Sequence, residues 1–156
     1  AFNLVVADAR EAYWLRSLSE QGPAKATSAP GVDVTPIPEG LSIITGGDLN
    51  QPDDVRVRRY LAAFRQAPAP DPGRGDWTAW QRLLSDRSRD PADDPKSAIC
   101  LEAPSGFATL SSALIALPAP PRDIGEAPRP AEFLFAPGPP DVTAYRPVTG
   151  HGRTAR

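Results

Sequence analysis

The chain has 156 residues, of which 20 are proline and 12 glycine, and 40% are hydrophobic; that suits one domain with a real core and falls short of the composition of an unstructured low-complexity chain. Its 17 basic and 19 acidic residues leave a net charge of −2, so there is no large positive field to hold a nucleic-acid backbone. No apolar run reaches the ~18 residues of a membrane span, and a single cysteine excludes an intrachain disulfide and fits a reducing, cytoplasmic setting.

The chain opens on AFNLVVADAR and contains no methionine. It enters a strand with no lead-in and no charged region leading into an apolar one, as a fragment or a processed product would. Residues 2–8 and 12–18 are runs of bulky apolar residues joined by Ala9, Arg10 and Glu11. So short a polar link predicts a β-hairpin, with Asp8 capping the turn amides. A Gly/Ser/Pro loop follows over 19–31. The alternation in VDVTPIP (32–38) predicts an edge strand, given its prolines. LSIIT (41–45) reads as a short buried strand.

The stretch 48–67 predicts a helix, capped by Asn50 or Asp53, with Pro52 in its first turn. Val57, Leu61 and Phe64, with Tyr60 beside them, make one core-facing stripe. Arg56, Arg58 and Arg59 beside Asp53 and Asp54 read as a solvated helix face. After a linker containing PGRG (72–75), Asp76 is a strong N-cap for a second helix over 77–87. Its Trp77, Trp80, Leu83 and Leu84 have helical spacing, which predicts packing of both tryptophans against a sheet, with a ligand-stacking wall as the alternative.

A polar loop over 86–96 leads into SAICLEA (97–103) and FATLSSALIAL (107–117), which predict a second hairpin around Pro104, Ser105 and Gly106. Small or apolar residues on both faces of 107–117 predict a strand covered on both sides. Thr109, Ser111 and Ser112 would then need partners, since a buried unpaired hydroxyl costs roughly 1–3 kcal/mol. A proline-rich crossing (118–130) and a last strand, EFLFA (132–136), complete the order. Strand runs separated from helices predict an α+β layered fold with mostly antiparallel sheets.

Few residues carry chemistry. His151, the single histidine, lies in a tail between two glycines and is poorly placed for a triad or a metal site. The acidic pairs lack the spacing of a calcium loop. Cys100 lies within a strand and reads as a small buried hydrophobe.

The ordered segments FNLVVADAREAYWL, IPEGLSIITGGDLNQPDDVRVRRYL, DWTAWQRLL, FATLSSALIALP and FLFAPGPPDVTAYRPV together resemble the C-terminal part of the NRDE family, also called the transport-and-Golgi-organization family. The resemblance covers residues 1–148; 149–156 read as a disordered tail. It implies part of a four-layer αββα sandwich like that of the Ntn-hydrolases, and a missing N-terminal half as the segment's partner. The family's N-terminal cysteine and Asn-Arg-Asp-Glu stretch do not occur here. Ala1 has no nucleophilic side chain, and Gly46 and Leu110 stand where many relatives carry Asn and Arg. Loss of an oxyanion donor alone costs about 100-fold or more, which weighs against amide hydrolysis.

Three functions compete. The resemblance implies non-catalytic handling of a small apolar ligand, haem or a lipid or acyl-CoA, with Thr45, Thr109, Ser111 and Ser112 as candidate contacts. An amide hydrolase whose cysteine lies in the missing half is the alternative. A purely structural half-sandwich is the third. No metal, nucleic acid or membrane span is expected.

Overall fold

The computed structural model describes residues 2–17, 31–89, 97–103, 105–121, 123, 127 and 129–148. Most of the 19–31 loop, the end of the 86–96 loop, Pro104, His151 and the whole 149–156 tail lie outside the described residues.

Among the described residues the fold is α+β, with two antiparallel three-stranded sheets, two α-helices and one 3-10 turn at Pro72–Arg74. The first sheet holds β1 (Asn3–Ala7), β2 (Ala12–Ser17) and β3 (Val32–Pro36), in that order. The expected hairpin forms because Asp8 closes it: its Oδ1 accepts from the Arg10 and Glu11 amides at 2.7 and 2.9 Å, while its own N–H donates to the Glu11 carbonyl. β3 is an edge strand, as its prolines require.

Pairing opposite Cα atoms separates the sheet's two faces. Val5 stands opposite Trp14, which stands opposite Thr35. Trp14 is buried, with its Nε1 donating to Asn3 Oδ1 and the Arg16 guanidinium over its ring. The other face carries Leu4, Val6, Tyr13, Leu15, Val32 and Val34. Apart from Ser17 and the Tyr13 hydroxyl it is apolar, and Leu4, Val6 and Val34 are exposed.

LSIIT is not a strand. Its ladder bonds are taken by Asn50, whose Oδ1 accepts from the Ile43 amide at 2.7 Å and whose N–H donates to the Ile43 carbonyl at 2.9 Å. Asn50 does this at φ 54°, a left-handed conformation that Asn tolerates better than most residues. Asn50 is therefore spent before the helix begins.

The first helix, α1 (Val55–Gln66), is capped by Asp54, neither of the two residues expected. Asp54 Oδ1 accepts from the Arg56 and Val57 amides, and its Oδ2 accepts the Thr45 hydroxyl at 2.7 Å. Pro52 precedes the helix. The predicted stripe holds: Val57 and Tyr60 are buried, and Leu61 and Phe64 partly so. The arginine face divides. Arg58 is exposed, whereas Arg59 reaches Asp86 and Ser88.

The second helix, α2 (Thr78–Leu84), is shorter than expected. Its N-cap is Trp77 and not Asp76 as expected, although Asp76, one residue earlier, accepts from the Thr78 amide. It stops at Ser85, because Asp86 turns away to bond Tyr60 and Ser88. Trp77 is buried, and Trp80 meets Phe64 of α1 edge-on at 5.1 Å. The contact of Trp80 is thus helix to helix, where packing against a sheet was expected.

The second sheet orders β4 (Ser112–Ala116), β5 (Glu132–Ala136) and β6 (Arg146–Pro147). The hairpin expected over 97–117 reduces to one bridge, Glu102 with Ala108, around a turn that Gly106 makes at φ 83°. Residues 97–103 do not form a strand, because side chains and loops take their amides. Ile99 donates to Tyr60 Oη, Cys100 to the Asp86 carbonyl and Leu101 to Thr109 Oγ1. The segment is core all the same: Ser97, Ala98, Cys100, Leu101 and Ala103 are buried.

Strand β4 corrects the expectation of two covered faces. Leu114 on one side is buried and pairs across from Leu134, with Ala136 fully enclosed on that same side. The other side carries Ala113, Ile115, Phe133 and Phe135, and Ile115 is 60% exposed. Each sheet therefore has one face with a buried residue, Trp14 or Leu114, and one largely bare, mostly apolar face, although Val5 on the Trp14 face is also 51% exposed.

Candidate functional site

The described part of the molecule concentrates its polar chemistry where the end of α2 meets residues 97–103 and the 139–145 loop. Tyr60, inside the core, anchors one end. Its hydroxyl donates to Asp86 Oδ2 at 3.0 Å and accepts from the Ile99 amide at 3.1 Å. Burial pushes the Tyr60 hydroxyl above its usual range, so it stays protonated. Burial also pushes Asp86 up, but hydrogen bonds from Ser88 and Tyr60, with Arg59 nearby, outweigh it and hold the carboxyl low.

Arg87 ties the other end. Its Nε and Nη2 grip the two oxygens of Asp141, and its Nη1 reaches Glu102 Oε2. This fork suits a guanidinium on a carboxylate. The Arg87 bonds hold the Asp141 carboxyl below its usual value. Cys100 Sγ donates to Asp141 Oδ1 at 3.2 Å. Burial, followed by that bond to a carboxylate, pushes the thiol up, so at neutral pH it is a protonated donor and not a nucleophile. Each charged group of this cluster, Arg59, Asp86, Arg87, Glu102 and Asp141, bonds an opposite charge.

Two clefts flank the cluster. One, of about 230 Å³, is lined by Arg87, Arg89, Ala98, Cys100 and Glu102. The other, of about 490 Å³, lies between α2 and the 139–145 loop and includes Gln81, Arg82, Thr143 and Tyr145. Among the described residues no group of three or more His, Cys, Asp or Glu side chains could hold a metal ion.

The four residues expected as ligand contacts lie in four different surroundings. Thr45 holds the α1 cap through Asp54. Thr109 accepts from the Leu101 amide and bonds the Ile99 carbonyl. Ser112 pairs with Tyr145 Oη at 2.6 Å, and Tyr145 lines the larger cleft. Ser111 is exposed. Thr45, Thr109 and Ser112 thus have the hydroxyl partners that their burial demands. Gly46 and Leu110 are both open: a Cβ added at Gly46 would meet nothing within 4 Å, and Leu110 is 80% exposed.

The Arg87–Asp141–Cys100–Glu102 cluster was not legible in the sequence. Its members lie up to 54 positions apart, and no spacing rule links them. A weak signal existed in Asp141, which follows two prolines in a loop where an unpaired acid has little use.

No family model, curated protein or solved structure matches the chain. No described helix is long and apolar enough to cross a membrane.

Proposed function

We propose that residues 1–148 form the C-terminal part of an NRDE-like domain with an Ntn-hydrolase-like αββα sandwich. In this reading an N-terminal segment covers the bare sheet faces, and the assembled domain handles a small apolar ligand, haem or an acyl-CoA, without catalysis. The observation that supports it most is the pair of bare faces. Leu4, Val6 and Val34 on one sheet, and Ile115 and Phe133 on the other, are exposed although they stand on strands. Fully burying such a side chain is worth roughly 1.5–3 kcal/mol. Contiguous apolar patches of this kind mark a surface that something covers. The non-catalytic half of the reading is supported by Gly46 and Leu110, which stand where many relatives of the resembled family carry Asn and Arg.

Two measurements test the two halves separately. The coding sequence directly upstream of Ala1 is expected to supply, in frame, a cysteine and an Asn-Arg-Asp-Glu stretch; an unrelated sequence there refutes the family reading. Spectral titration of the full-length protein with haem and with palmitoyl-CoA is expected to saturate for one of them. Saturation by neither ends the ligand reading.

A further inference from the structure

We propose that the cleft between α2 and the 139–145 loop binds a small carboxylate, with Arg82 as its counter-ion. The cleft has a volume of about 490 Å³, within the range of small-molecule sites. Ser85 Oγ sits between its two walls, 2.7 Å from the Gln81 carbonyl of α2 and 3.0 Å from the Pro140 carbonyl of the loop, and its one proton is shared between them.

Charge decides the ligand class. Among the described residues no acidic side chain lines this cleft, and Arg82 makes no ion pair. The acids nearest in sequence are committed elsewhere: Asp86 to Tyr60, Ser88 and Arg59, and Asp141 to Arg87 and Cys100. Asp76 is likewise spent on the Thr78 amide and hydroxyl, so Arg82 faces a cleft with no acid in its lining that offers the Thr143 hydroxyl and the Gln81 amide. The smaller cleft is the contrast. There the acid Glu102 lines the wall and Arg87 is gripped by Asp141 and Glu102, so an anion entering beside Arg89 meets a carboxylate as well.

One guanidinium with uncharged donors around it matches a single negative charge, and its fork fits the two oxygens of a carboxylate. Pro140 and Ala144 add apolar wall, which suits a carboxylate carrying a small apolar body over a bare ion. This site uses none of the residues on the bare sheet faces, so it stands whether or not the family reading does.

The test is an amide-resolved NMR titration of the whole chain with phenylacetate, with phenylacetamide and inorganic phosphate as comparisons. Phenylacetate is expected to shift the Thr78, Gln81, Thr143 and Tyr145 amides saturably, and phenylacetamide is not. Arg82→Gln is expected to weaken binding roughly tenfold to a hundredfold, the scale of a lost charge-assisted bond, and Arg82→Lys to restore part of it. Arg82 is exposed, so the spectra of both variants should otherwise overlay that of the parent. Equal binding of phenylacetamide, tighter binding of phosphate, shifts away from these four residues, or an unchanged affinity in Arg82→Gln overturns the proposal. Should Arg82→Gln unfold, the carboxylate-to-amide contrast on the parent chain decides alone.

Discussion

Replacing Tyr60 with Phe tests whether one hydroxyl holds α1 to the polar cluster. The ring stays, so the packing of a residue only 1% exposed is retained. Two hydrogen bonds go. The bond from the Ile99 amide, 3.1 Å long, leaves a part-buried donor unpaired, at about 1–2 kcal/mol. The bond to Asp86 is charge-assisted, worth about 1.5–3 kcal/mol when fully desolvated. The Asp86 side chain is 29% exposed, so water recovers part of that loss and about 1 kcal/mol remains. The sum is about 2–3 kcal/mol, a large share of the stability of a small domain. With a urea dependence of about 1–3 kcal/mol per molar, the unfolding midpoint should fall by about 1 M. Tryptophan fluorescence reads it, since Trp14 and Trp77 are both buried. Tyr60→Phe should also raise the Asp86 pKa, because it removes one of the bonds that lower it. A midpoint change below about 0.3 M would refute the claim that this hydroxyl secures the junction.

Asp54→Ala should cost about 1 kcal/mol, the usual worth of an N-cap, with a further loss from Thr45 left without its acceptor. Its pH dependence has a definite sign. Burial pushes the Asp54 carboxyl up, but the Thr45 hydroxyl and the Val57 and Arg56 amides outweigh it and hold the folded value below 3.8. The stabilisation is therefore full above the unfolded value and is lost as pH falls through the folded one. Asn also caps helices, so Asp54→Asn should keep most of the stability at pH 7 while removing this acid-side loss in urea titrations from pH 6 to pH 3. A thiol reagent should label Cys100 at least about 100-fold more slowly in native protein than in urea, since the thiol is buried and its ionisation suppressed; equal rates would show that it is accessible. Val6→Ser and Ile115→Ser should cost this chain about 0.5 kcal/mol, because the two residues are already 51% and 60% exposed. In the longer protein of the proposed reading, each should cost about 1–2 kcal/mol through lost burial; no difference between the two contexts would show that the faces stay bare.

The sequence by itself determined the elements whose signals are local. The first hairpin follows from two apolar runs and Asp8, which can reach only the amides of its own turn. The stripe of α1 follows from periodicity, and the strand at 132–136 is a short run of mostly bulky apolar residues. LSIIT and SAICLEA were misread because apolar runs look alike whether their amides bond a neighbouring strand or distant side chains. Asn50 and Tyr60 took those amides, and nothing within either run announces it. The same holds for the cluster around Asp141 and for the cleft holding Arg82. A charge's use depends on which opposite charges the folded chain brings to it: Arg87 is met by Asp141 and Glu102 from far along the sequence, and Arg82 by none among the described residues. Pairing across distance is a property of tertiary structure, because the energy of a contact depends on separation in space and carries no trace in separation along the chain.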